Sequence, residues 1–175
     1  TSANSARDIN IGDIDGDGDL DIISTSLGDQ TIAWYENNGA ANPTFTAADI
    51  SVNAGWPWDI EIADIDNDGD LDFVFADDGN RTNNIHGSSD TWSNNGSEGR
   101  VIWYENDGAA NPTWSSNVIS TSPGVSTQDV HIVDIDNDGD LDITSSSNDK
   151  LSLYKNDGAV NPSWTTIIID SNVLG

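Results

Sequence analysis

Apolar and polar residues alternate with a period of two along most of the chain. Asp8-Ile9-Asn10-Ile11, Asp59-Ile60-Glu61-Ile62 and Asp129-Val130-His131-Ile132 are three copies of one such run. That period sends successive side chains to opposite faces of an extended backbone, so each run is expected to be a half-buried β-strand. Further runs recur behind each copy. The second strand is expected from Leu20, Leu71 and Leu141, the third over 31–36, 101–105 and 151–155, and the fourth over about 44–51, 113–121 and 163–170. Gly, Asn and Pro punctuate the gaps. No segment has a convincing 3.6-residue period, so the chain is expected to be all-β.

The repetition sets the architecture. A nine-residue run begins at Asp13, Asp64 and Asp134, in steps of 51 and 70 residues. A second landmark, Trp34-Tyr35-Glu36-Asn37-Asn38-Gly39, returns as Trp103 to Gly108 and as Leu153 to Gly158, in steps of 69 and 50. The unit is therefore about 50 residues, with about 19 inserted in the middle copy. Four antiparallel strands in such a unit describe a propeller blade. The expected fold is an all-β β-propeller with three blades in this chain: 1–52, 53–121 with an inserted loop at about 78–100, and 122–175. The insertion holds Arg81, His86, Asp90, Trp92 and two Asn-x-Ser/Thr sequons at Asn80 and Asn95. It reads as a long exposed loop, with a ligand or partner loop as the alternative.

The nine-residue runs carry the chemistry. The first is Asp13-Ile14-Asp15-Gly16-Asp17-Gly18-Asp19-Leu20-Asp21. The others hold Asp64, Asp66, Asp68, Asp70 and Asp72, and Asp134, Asp136, Asp138, Asp140 and Asp142. Two carboxylates about 5 Å apart in water repel by roughly 0.8 kcal/mol. Five in nine residues, built three times, point to a bound cation. Side chains at positions 1, 3, 5 and 9 are the expected ligands, with the position-7 aspartate offering its carbonyl and Gly18, Gly69 or Gly139 allowing the turn. A flexible all-oxygen donor set suits Ca²⁺ better than Mg²⁺, so one Ca²⁺ per repeat is expected. The loops are not EF-hands. Position 12 is Ser24, Phe75 or Ser145 rather than a glutamate, and the flanks read as strands. The Ile at position 2 and the Leu at position 8 are expected to point away from the ion into the blade.

Charge narrows the partners. Lys and Arg number 5 against 31 Asp and Glu, for a formal net charge of -26. Fifteen of those acids lie in the three loops, so about half the charge is local. Nothing here would neutralise phosphates, so nucleic acid is not an expected partner. No apolar run approaches 18 residues, and no membrane insertion is expected. The chain has no Cys, hence no disulfide and no thiolate metal site. It has no Met either, and is read as a processed form or an excerpt.

The repeated Asp-x-Asp-x-Asp-Gly-Asp-x-Asp loop, with the Trp-Tyr-Glu-Asn-Asp-Gly stretch behind it, resembles the FG-GAP/VCBS-type repeat family. The likeness covers nearly the whole chain, although the literal Phe-Gly and Gly-Ala-Pro signatures are absent. It implies blades of a calcium-binding β-propeller and a secreted or cell-surface setting. It implies little about ligand, because one fold hosts many functions.

Three blades do not close a ring, and neither end of the chain reads as capped. The expected partners are further copies of the chain or additional blades, in a ring or a filament, and possibly glycans or surface proteins. No nucleophile–base pair is visible, so no enzymatic activity is expected. His131 reads as structural, Glu36 and Glu105 as solvent-facing, and Trp34, Trp103, Trp114 and Trp164 as inter-blade packing. Trp56-Pro57-Trp58 has no counterpart in the other repeats and is the candidate binding surface. A structural or adhesive module is the leading reading. A carbohydrate-binding lectin is the alternative, and the scaffold of a polysaccharide-active enzyme comes third.

Overall fold

The computed structural model describes residues 3–52, 54–78, 99–122 and 127–171. Among them are twelve strands and no helix. The first sheet holds β1 (Ala6–Gly12), β2 (Asp21–Ser26), β3 (Thr31–Asn37) and β4 (Phe45–Val52). The second holds β5 (Pro57–Ala63), β6 (Asp72–Asp77), β7 (Gly99–Asn106) and β8 (Trp114–Ser122), and the third β9 (Thr127–Val133), β10 (Asp142–Ser147), β11 (Leu151–Asn156) and β12 (Trp164–Asp170). Each sheet is a four-stranded antiparallel meander in chain order.

The register follows the period-two pattern. Ile9 pairs with Ser24 and Ile11 with Ile22 in the first sheet, and Ile60 with Phe75 and Ile62 with Phe73 in the second. A one-residue slip would turn every one of these side chains to the opposite face.

The apolar core lies between the sheets. One cluster joins Ile23 and Ile32 of the first sheet to Ile60, Phe73, Phe75 and Ile102 of the second. The other joins Ile65, Val74, Val101 and Trp103 of the second to Val130, Ile143 and Tyr154 of the third. Trp114 packs on the first cluster, its ring 4.9 Å from Phe73, and Trp164 packs on the second. Trp103, Trp114 and Trp164 thus pack on clusters shared by two repeats, whereas Trp34 is in neither cluster and its indole donates to Asp21 of its own repeat.

Main-chain and polar contacts cross the same junctions. The Ile60 amide donates to Asp8 Oδ2 at 3.1 Å, and one repeat later the Val130 amide donates to Asp59 Oδ2 at 2.8 Å. The Asn10 side-chain amide donates to Glu61 Oε2 at 3.4 Å, and the other Glu61 oxygen lies 3.2 Å from His131 Nδ1. His131 is therefore an exposed junction residue rather than part of the apolar interior.

Equivalent positions differ sharply in exposure according to where their repeat sits. Ile60 and Val130 are buried at 1% and 0%, whereas Ile9 is 57% exposed. At loop position 2, Ile14 and Ile65 are buried at 3% and 0%, whereas Ile135 is 46% exposed. Leu20 is also exposed. The expectation that all position-2 and position-8 side chains are buried therefore fails for Ile135 and Leu20. These positions are covered by a neighbouring sheet and not by their own.

Two further expectations change. The strand after the insertion, β7, begins at Gly99, two residues before its expected start at 101. Residues 79–98 of the insertion, with Asn80, Arg81, His86, Asp90, Trp92 and Asn95, lie outside the described residues. At its foot the buried Asp77 is ion-paired with Arg100, whose Nε donates to Oδ2 at 2.8 Å, and Asp77 Oδ1 accepts the Trp56 amide at 2.9 Å. Trp56-Pro57-Trp58 is not a free surface. Pro57 is buried, both tryptophans are half-buried, and the Arg7 guanidinium lies 3.7 Å over the Trp58 ring. A cation–π contact of that kind holds the first two repeats together.

Candidate metal centres

Each Asp-rich loop joins the first two strands of its sheet. Its backbone is folded by its own carboxylates. Asp13 Oδ2 accepts the Gly18 amide at 3.0 Å, Asp64 Oδ2 the Gly69 amide at 3.1 Å, and Asp134 Oδ2 the Gly139 amide at 3.1 Å. The position-5 aspartates, Asp17, Asp68 and Asp138, each accept the amide of position 7 at 2.9–3.1 Å. Position 6 adopts φ near +100° in all three copies, which is why it is glycine throughout. Position 4 is also left-handed, as Gly16, Asn67 and Asn137, and Asn is the residue that best tolerates that region after glycine.

These turns aim three carboxylates at one point. Oxygens of Asp13, Asp15 and Asp17 lie within 4.8 Å of one another, as do those of Asp64, Asp66 and Asp68, and of Asp134, Asp136 and Asp138. Each trio can hold a metal ion, and an all-oxygen set is compatible with calcium. The fit has a further sign. Asp13 Oδ1 and Asp64 Oδ1 are buried atoms without a hydrogen-bond partner. A buried acceptor left so is costly, and a cation would satisfy it. Burial, followed by charges that include Asp17 and Glu36, holds the Asp15 carboxyl above its ordinary range. Burial, then Asp68 and Glu105, does the same to Asp66. Glu36 and Glu105 are half-buried, and their charges are among the smaller contributions to those shifts.

The remaining two aspartates of each loop sit elsewhere. Position 9 is buried in every copy. Asp21 accepts the Ile14 amide at 3.3 Å, the Trp34 indole N–H at 3.0 Å and the Asn37 amide at 2.8 Å. Asp72 takes the amides of Ile65 and Asn106, and Asp142 those of Ile135 and Asn156. Burial pushes Asp72 up to about 7, against the opposing pull of the Asn106 amide. An ionised carboxylate has about four acceptor sites, so three hydrogen bonds leave Asp21 one to offer an ion. At position 7 the side chains of Asp19, Asp70 and Asp140 lie against Gly39, Gly108 and Gly158. A Cβ on those glycines would meet the carboxylate at 2.0–2.1 Å. Their φ of +66° to +70° is a second reason for glycine.

One set of functional residues has a sequence signal whose meaning only the structure supplies. Asn37, Asn106 and Asn156 stand two residues before those glycines. Each donates from its side chain to the carbonyl of loop position 8, at 3.1–3.2 Å, and accepts the glycine amide. Asn106 also donates to Ile14 O at 3.0 Å, and Asn156 to Ile65 O at 3.3 Å. The Asp loop of one repeat is thereby tied to the third strand of the next. The triplicate Asn-x-Gly was visible in the sequence, but its partner is a main-chain carbonyl, which leaves no residue type to search for.

The sequence pattern of the FG-GAP-like repeat family matches residues 4–75 and 84–145. The first match takes in two of the Asp loops and the second takes in the third loop. No curated protein and no solved structure matches the chain significantly. With the family pattern spanning most of its length, and with three like sheets each carrying an Asp loop between its first two strands, the chain belongs to the FG-GAP-like repeat family.

Proposed function

We propose that the chain is a calcium-stabilised β-propeller module of a secreted or cell-surface protein, with a structural or adhesive role, completed by further units of its own kind. The three trios would each hold one Ca²⁺, joined by the position-7 carbonyl and the remaining acceptor site of Asp21, Asp72 or Asp142. The ion would fix the turn between the first two strands of each blade. Repeats of this family occur in extracellular proteins, which supports the setting. Among the described residues no helix is long and apolar enough to cross a membrane.

The observation that carries the reading is the exposure of Ile9 and Ile135 where their repeats' counterparts are buried. In the two junctions already formed, the leading edge of one sheet covers the Asp loop of the one before it. The same contacts extended outward would pair Ile9 and Leu20 of one unit with Ile135 and Val133 of another. Asp129 would then accept the Ile9 amide, and Asn37 would reach the Ile135 carbonyl. The added unit is a second copy of the chain or a further blade. Repetition of one interface closes a ring if the rotation per unit divides a full turn, and otherwise grows a filament.

Sedimentation velocity of the chain with Ca²⁺ tests this. Association that deepens with concentration is expected, together with its loss in Ile9→Lys and Ile135→Lys. A species of 18.6 kDa at every concentration overturns it.

A further inference from the structure

The three loops agree closely in sequence, yet the third is built differently. Behind the first two loops stand Glu36 and Glu105, whereas the third has Lys155 at that place. The Lys155 ammonium is paired with Asp136 Oδ2 and lies 3.0 Å from Asp138 Oδ2, two of the three carboxylates of the trio. The loop has rearranged around it. In the first two copies the position-5 amide donates to position 3: Asp17 to Asp15 at 3.2 Å, and Asp68 to Asp66 at 3.3 Å. In the third, the Asp138 amide donates instead to Asp134 Oδ1 at 3.1 Å. That oxygen is the counterpart of the partnerless Asp13 Oδ1 and Asp64 Oδ1. The third loop thus already has, from within the chain, part of what a cation would supply in the others: one positive charge against the trio and a partner for the position-1 oxygen.

We infer that Lys155 is a tethered counter-cation that makes the third loop a weaker calcium site than the first two and holds that loop folded when calcium is scarce. The inference rests on the calcium reading above. An arriving ion must displace the ammonium from Asp136 and Asp138, and it then meets surroundings two charges less negative than where Glu36 or Glu105 stands. Near a protein surface a charge exchange of this size amounts to at least about tenfold in affinity.

Equilibrium dialysis of the chain against radioactive calcium tests it. Two tight sites and one at least about tenfold weaker are expected in the wild type. Lys155→Met should strengthen the weak site, and Lys155→Glu should give three tight sites. The reciprocal Glu105→Lys should leave one tight site, and it keeps the idea testable should either Lys155 variant fail to fold. Three equivalent sites in the wild type overturn the inference while sparing the calcium reading, as does a third site unmoved by Lys155→Met. A wild-type chain that binds no calcium overturns both.

Discussion

The side-chain amide of Asn106 donates to the main-chain carbonyl of Ile14, a residue 92 positions earlier in the chain, at 3.0 Å. It also bonds Leu71 O and accepts the Gly108 amide, all from a buried site. Asn106→Ala should therefore destabilise the chain by about 2–3 kcal/mol, because buried carbonyls and an amide lose their partner. Asn37 makes the equivalent bonds inside its own repeat but is half-buried and reaches no earlier loop. Asn37→Ala should cost about 1 kcal/mol. Urea denaturation of the two variants checks the order, and equal losses would contradict the assignment of Asn106 to the junction.

Calcium removal should lower the melting temperature. The trios repel themselves and two of them hold a partnerless buried oxygen. An ion that binds the folded state alone stabilises it by mass action, by about 2.7 kcal/mol at a hundred times its dissociation constant. Calorimetry with calcium and with excess chelator is the measurement, and identical melting curves would exclude a structural role for the ion.

Acid should stabilise the calcium-free chain over a defined window. Burial, then the neighbouring Asp8 carboxyl, pushes Asp59 up to about 7 against the pull of the Val130 amide. A carboxyl whose folded value is raised binds its proton more tightly in the folded state. Stability is then gained as pH falls from about 7 towards the ordinary carboxylate range, and lost on the way back up. The chelated chain should melt higher at pH 5 than at pH 8. Asp59→Asn keeps an acceptor for the Val130 amide and offers Asp8 a donor, so it should reduce that difference. A melting temperature that falls steadily from pH 8 to pH 5 in the wild type would contradict the assignment.

Arg100→Ala should be among the costlier single changes. It would remove the guanidinium that is paired with the buried Asp77 at the foot of the insertion. Arg100 is itself partly exposed, so the loss should be about 1.5–3 kcal/mol, the range for a hydrogen bond to a charged group. Thermal melting of Arg100→Ala beside Arg100→Lys separates loss of charge from loss of the forked geometry.

Strand order and the position of the Asp loops were legible because both are periodic. Residues two apart share a face, and the loops repeat nearly letter for letter. What a residue touches across a junction was not legible. Trp56-Pro57-Trp58 was conspicuous through lacking counterparts, and unpaired aromatics in a sequence suggest an exposed site. The structure instead stacks Trp58 under Arg7, a contact between positions with no shared period. Ile14 and Ile135 occupy the same place in their loops and differ in burial, because burial there belongs to the neighbouring sheet. Lys155 broke the pattern of Glu36 and Glu105, but its significance depends on a side chain folding back over the loop.

Both apolar clusters among the described residues are shared by two sheets, so neither belongs to a single repeat. The expected cooperative unit is therefore the joint between repeats rather than the repeat. Unfolding should then spread like a row of coupled elements, in which losing one sheet strips half the interior from its neighbour. Residues 6–52 made alone would lack the partners of Ile23 and Ile32, and stability should rise more steeply than chain length as repeats are added.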